Sequence, residues 1–180
     1  MRGSFDFARK IFQINFAVEV GVYDGANAED MMRHGVGFLY LVDPYKAHLN
    51  HGMDKDLPTY QVTQEEMRLA KALTISRLNP WSGKFELMEM TSEAAANALP
   101  NCLDYVYIDA IHSYEAVKKD IALWWPKVRS GGVLGGHDYV LPQKDGRIGY
   151  AGVVRAVNEF ANANGLALGT GGADWWVVKP

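Results

Sequence analysis

Apolar residues in this chain come in short runs separated by amphipathic stretches. Runs rich in β-branched and aromatic residues occupy 16–22, 38–42, 85–90 and 103–108, with shorter ones at 133–134 between glycines, 166–168 and 175–178. Nearly continuous apolar runs of this length suit strands covered on both faces. Between them the spacing turns helical. Val117, Ile121, Trp124 or Trp125, and Val128 fall on one face, Glu115 is placed to pair with Lys119 one turn on, and Gly131-Gly132 end the helix. Thr63 with Glu66 three residues later is a capping-box pattern, and the helix it starts runs to about Leu78, before Asn79-Pro80. A third helix presents Val153, Val157, Phe160 and Ala161 on one face and stops near Gly165. Strand and helix therefore alternate, which predicts an α/β, doubly wound sheet of about seven strands, mostly parallel. The last two runs are too close for a helical crossover and read as an antiparallel C-terminal edge hairpin.

The 180 residues, 48% hydrophobic and 22% charged, suit one globular domain over residues 16–180, preceded by a 15-residue N-terminal segment. Residues 1–4, Met1-Arg2-Gly3-Ser4, resemble a vector-derived leader and are set outside the domain. With 18 basic against 21 acidic residues the formal charge is -3, so no global positive field favours nucleic acid. The single cysteine, Cys102, cannot form an internal disulfide, which fits a reducing compartment and makes the cytoplasm the expected location. No apolar stretch reaches the roughly 20 residues of a membrane span, and no signal-peptide core opens the chain. The expected partner is a small molecule; a homo-oligomer is compatible with the composition.

Candidate chemistry gathers at strand ends. The first strand runs into Glu19-Val20-Gly21-Val22-Tyr23-Asp24-Gly25, where Gly21 and Gly25 allow a tight turn and a close backbone approach to a ligand at the next helix N-terminus. Asp43 closes the second strand about 20 residues after Gly21, where an acid in this architecture reaches ribose hydroxyls. Tyrosine at 23 and alanine at 26 break the G-x-G-x-x-G spacing of dinucleotide sites, which argues against a pyrophosphate. Glu19, an acid inside an apolar strand, either compensates a cationic ligand or bonds a loop amide. Asp109 ends the strand at 103–108, and His112 follows in a loop, as a general base for a hydroxyl or as a loop brace. At the next strand end His137 and Asp138 stand beside Asp109. The three form a mixed oxygen and nitrogen set for a divalent cation, magnesium or manganese, unless Asp138 caps a loop and His137 braces Asp109. His34 fits a helix C-cap, His48 and His51 read as solvated or as lining a substrate entrance, and Trp81 reads as an adenine or substrate neighbour.

E-V-G-V-Y-D-G at 19–25 followed by L-V-D-P at 41–44 resembles motifs one and two of class I S-adenosylmethionine-dependent methyltransferases. The stretch from Tyr107 to Ile121, with G-G-V-L-G-G-H-D-Y at 131–139, resembles a subgroup related to small-molecule O-methyltransferases. The resemblance implies a Rossmann-like fold and S-adenosylmethionine as cofactor. It implies contacts to the methionine moiety from Glu19, Gly21 and Gly25, to ribose from Asp43, and to adenine from Met90, Thr91 and Ser92, with Asp109 also at the cofactor. It inclines His112 towards base, with Asp109 as its catalytic partner. Metal-dependent relatives mostly present oxygens where this chain has His137, and additional N-terminal helices usually cap the family's substrate pocket. No Asn/Asp-Pro-Pro-aromatic motif of amino-methylating enzymes follows the fourth strand, which favours an oxygen acceptor. Two other readings stay open: a nicotinamide-dependent oxidoreductase and a non-catalytic nucleotide-ligand-binding module.

Overall fold

The computed structural model describes residues 1–50, 60–141 and 149–180; side chains at 49, 50 and 60 are not described. A seven-stranded sheet forms its centre, in the order β5 (Phe85–Met88), β2 (Phe38–Val42), β1 (Phe16–Val20), β6 (Leu103–Ile108), β7 (Val128–Gly136), β9 (Asp174–Val178), β8 (Gly169–Gly171). The first five in that order run parallel; β9 is antiparallel to β7, and β8 to β9. The chain works outward from β1 through β2 to β5, then returns to β6 on the other side. The topological switch therefore lies between β1 and β6, where open α/β sheets leave a crevice at the carboxyl ends of the strands. β3 (His48–Asn50) and β4 (Tyr60–Val62) form a separate antiparallel pair.

Two cores cover the sheet, as the apolar runs predict. One joins Val18, Val20, Val106 and Ile108 to α4 (Ser92–Ala98), α5 (Tyr114–Trp124) and α6 (Ala151–Ala163). The other joins Ala17, Leu39, Leu41, Tyr105 and Tyr107 to α1 (Gly3–Ile11) and α2 (Ala26–Arg33). α3 (Gln64–Leu78) starts on the expected capping box: Thr63 Oγ1 accepts from the Glu66 amide, and the Glu66 carboxylate accepts from the Thr63 amide at 2.6 Å. Among the described residues no helix is long and apolar enough to cross a membrane.

The structure corrects several local expectations. α5 ends at Trp124, not at the glycine pair, because Pro126 in the 3-10 turn Trp125–Lys127 cannot continue an α-helix. Gly131 and Gly132 lie inside β7, where Gly131 takes a φ of 74° at an irregularity in the pairing with β6. Lys119 pairs with Glu93 of α4 at 2.7 Å instead of with Glu115. The penultimate strand is Gly169–Gly171, not 166–168. Leu166 and Leu168 pack on the core, while the Trp176 indole lies across Gly169 so closely that a Cβ there would stand 2.3 Å from it. Residues 1–4 belong to the folded unit. Ser4 is buried in the first turn of α1, and its amide and hydroxyl donate to Asp174 Oδ2 at 3.0 and 2.9 Å.

Candidate active site

Glu19 lies on β1 facing α2 and is 2% exposed. Its Oε1 accepts from Asn27 Nδ2 at 2.8 Å; its Oε2 is buried with no partner among the described residues. Burial pushes the Glu19 carboxyl up to about 8, against the pull of Asn27. A buried oxygen with no donor costs free energy that a cationic ligand can recover. The glycines beside it are required by the protein itself. At Gly21, with φ 86°, a Cβ would meet the Asp109 carbonyl oxygen at 2.0 Å, and at Gly25, with φ 75°, it would meet Thr74 of α3 at 2.9 Å. Asp43 holds the loop after β1: its Oδ2 accepts from the Val22 and Tyr23 amides at 3.1 and 3.0 Å, and its Oδ1 from the Tyr45 amide at 2.8 Å. A carboxylate offers about four acceptor positions, so about one remains for another donor.

Across the switch point the ends of β6 and β7 bring four side chains together. His112 Nε2 lies 3.3 Å from Asp109 Oδ1 and 3.0 Å from Asp138 Oδ2; His137 Nδ1 lies 2.9 Å from Asp138 Oδ1 and 3.9 Å from Asp109 Oδ1. Burial disfavours the imidazolium of His112, but Asp109 and Asp138 hold the proton more strongly and raise its pKa to about 9. The two histidines in turn outweigh burial at Asp138 and hold its carboxyl far below the ordinary range. Asp138 has φ 60°, a left-handed conformation that costs a non-glycine residue roughly 1–3 kcal/mol and aims the carboxylate between the two imidazoles. One donor atom each from Asp109, His137 and Asp138 fall within 4.8 Å of one another, a spacing that fits a single divalent cation. Tyr150 brings its ring to 5.3 Å from that of His112.

The other predicted residues divide. Met90, half-buried after β5, packs on the core, and Thr91 caps α4 by accepting from the Ala94 amide at 3.3 Å. The Ser92 hydroxyl donates to Asp120 at 2.6 Å and accepts from Trp124 Nε1 at 2.8 Å, so it ties α4 to α5. Trp81 precedes β5, at the amino edge of the sheet, with Arg33 over its ring; that removes it from the crevice. His34 caps α2, its Nδ1 2.8 Å from the Asp30 carbonyl oxygen, and His48 is exposed on β3. His51 lies outside the described residues. Sequence reasoning missed Asn27, although its place in the first turn of the helix that Gly25 opens was a usable signal. It also missed Arg2, whose Nη2 lies 3.3 Å from Asp109 Oδ2 and which was set aside with the leader-like residues.

A family model described as a methyltransferase domain matches residues 18–139, more than half of the chain and the part that holds both halves of this site. The chain belongs to that family and is a class I, S-adenosylmethionine-dependent methyltransferase. No curated protein matches it in sequence. Solved structures that resemble it include the O-methyltransferase TomG from Streptomyces achromogenes, involved in tomaymycin synthesis and in complex with SAM. That match has 16% identity and a TM-score of 0.66, and covers 98% of this chain and 78% of that one. An O-methyltransferase from Bacillus cereus in complex with SAH shares 16% identity at a TM-score of 0.63, over 97% of this chain and 80% of that one. An rRNA methylase from Streptococcus thermophilus shares 13% identity at 0.62, over 98% and 93%. At such identities the likeness is one of fold, and the same fold serves proteins with different acceptors.

Proposed function

We propose that this methyltransferase acts on a hydroxyl oxygen of a small-molecule acceptor, at the crevice between β1 and the ends of β6 and β7. The observation that carries the reading is the convergence of His112 with Asp109 and Asp138 on the side of the switch point opposite Glu19. S-adenosylmethionine, when bound, supplies a methyl carbon on a cationic sulfur, and the protein's task is to align the acceptor with it. The unpartnered Oε2 of Glu19 fits the amino group of that cofactor. Gly21 and Gly25 shape the adjoining loop, and Asp43 offers its remaining acceptor position to a ribose hydroxyl. Met90 borders the adenine together with the backbone of Thr91 and Ser92, whose hydroxyls are already engaged. Asp109 lies at the methyl end.

His112 is the base in this reading. At neutral pH its proton is held by two carboxylates, so it accepts another group's proton only when that hold weakens. A divalent cation, magnesium or manganese, bound by Asp109, His137 and Asp138 would share the carboxylate charge and acidify an acceptor hydroxyl. The loop after β6 reads Asp109-Ala110-Ile111-His112, without the proline pair of amino-methylating enzymes, which supports oxygen as acceptor. The net charge of -3 supports a small molecule over nucleic acid, and the single cysteine supports a cytoplasmic setting.

The family match does not favour the oxidoreductase. Calorimetry with S-adenosylhomocysteine and with reduced nicotinamide, followed by labelled methyl transfer to a panel of hydroxylated and aminated acceptors, tests the proposal. Methylation of amines alone would overturn the oxygen assignment. Cofactor binding without transfer to any acceptor would instead favour a ligand-binding module.

A further inference from the structure

Glu19 stands opposite Tyr107 in the β1–β6 register, and alternate residues of β6 share a face, so Tyr105, Tyr107 and Asp109 form a row beside Glu19. α1 packs on this face through Phe5 and Ala8. Its first turn is pinned by buried Asp174, which accepts from the Ser4 amide, the Ser4 hydroxyl and the Tyr107 hydroxyl. That anchor fixes Arg2, the residue before α1, over the end of the row: Nη2 is 3.3 Å from Asp109 Oδ2, and the guanidinium carbon is 5.9 Å from the Tyr107 ring centre. Asp109 is its one hydrogen-bond acceptor among the described residues, and its side chain is 34% exposed. A guanidinium carries five N–H donors in a planar fork, so most of this one is free. Arg2 is near enough to Glu19 to favour the ionised carboxylate.

We infer that Arg2 binds the carboxylate of the cofactor's amino-acid moiety while Glu19 takes its ammonium. The inference rests on the cofactor reading given above and adds a binding residue to it. An α-amino acid carries both charges on one carbon. This face offers a matching pair: a buried carboxylate oxygen without a donor, and a guanidinium with donors to spare. Arginine meets a carboxylate through two parallel N–H donors, a geometry lysine cannot copy. The N-terminal end of α1, where Arg2 sits, adds a positive potential.

The test is calorimetry on the full chain with two ligands, S-adenosylhomocysteine and its decarboxylated counterpart, which keeps the ammonium but has no carboxylate. The parent should prefer the first by about ten- to a hundred-fold, the range of a charge-assisted hydrogen bond. In Arg2→Gln that preference should collapse towards one, and Arg2→Lys should retain part of it. Thermal melts of both variants report folding separately, since Arg2 also pairs with Asp109. A preference unchanged in Arg2→Gln, with or without a lower melting temperature, makes Arg2 a structural tie and overturns the inference alone. A folded parent that binds neither ligand overturns the cofactor reading with it.

Discussion

Glu19→Gln sets stability against binding at one residue. In the folded chain the Glu19 carboxyl is buried and titrates at about 8, whereas an unfolded glutamate has its ordinary value of 4.5. Between those values the native state holds a proton that the unfolded chain has released, so stability falls as pH rises from 4.5 to 8 and levels off above. At about 1.36 kcal/mol per pH unit the loss reaches about 5 kcal/mol, an upper figure because local relaxation and water entry soften burial. Glutamine has nearly the same shape, does not titrate, and can still accept from Asn27 through its carbonyl oxygen. In urea titrations the variant should match the parent near pH 5 and gain roughly 2–5 kcal/mol on it by pH 8. Its affinity for S-adenosylhomocysteine should fall by about ten-fold or more, since the anion facing the ligand's ammonium is gone.

Binding should also move a proton. At pH 7 a group titrating at about 8 is about 0.9 protonated, so the parent should release close to one proton per ligand as Glu19 ionises against the ammonium. Calorimetry in buffers of different ionisation enthalpy reads that number, and the glutamine variant should show almost none. A parent whose stability is flat from pH 5 to 8, or a variant that binds as tightly, would refute the argument and leave Glu19 a paired structural carboxyl.

Gly21→Ala should destabilise the chain by more than about 2 kcal/mol and weaken cofactor binding, because the new Cβ meets the Asp109 carbonyl oxygen in a left-handed backbone; an unchanged melting temperature would show that the β6 end yields freely. His112→Gln should keep S-adenosylhomocysteine affinity but lower turnover by about 10²–10⁴-fold. The parent's rate should climb with pH as His112 gives up the proton held by Asp109 and Asp138, with a midpoint below the metal-free value of about 9 because a bound cation shares their charge, and the variant should lack that rise; an identical profile in both removes His112 as base. Chelation should abolish turnover, magnesium or manganese should restore it, and Asp138→Ala should raise the concentration required. Full turnover by enzyme shown metal-free by elemental analysis would dismiss the cation.

The parts of the fold legible in the sequence are those governed by neighbours a few residues apart. Thr63 and Glu66 close a capping box because both partners lie within one turn, and β2 and β6 run over the residues their apolar runs mark. Glycine misled where tertiary contact overrode its usual meaning. Gly131-Gly132 read as a helix stop, yet Pro126 had already stopped the helix, and β7 tolerates the pair because Lys179 bonds the backbone at both residues. α1 and α4 escaped notice for another reason. Each is short, and α4 is alanine-rich with little apolar contrast, so packing against the sheet and α5 defines it more than its periodicity does.

The same distinction divides the site. Glu19, Asp43, Asp109, His137 and Asp138 were visible because strand ends in an open α/β sheet converge on one edge, and the sequence marks strand ends. What each side chain is free to do depends on partners far along the chain. Ser92 looked available for adenine, but Asp120 and Trp124, 28 and 32 residues away, occupy its hydroxyl. Asp43 looked able to grip two ribose hydroxyls, but three amides of its own loops take most of its acceptor positions. His112 differs most from its isolated chemistry. The residue type gives an imidazole near 6.5, neutral at pH 7 and ready to accept a proton. Two carboxylates, one three residues back and one just past the end of β7, reverse that state and leave it charged. A base in this position therefore works only in concert with whatever else claims Asp109 and Asp138, so His112, Asp109, His137 and Asp138 must be tested as one titrating unit.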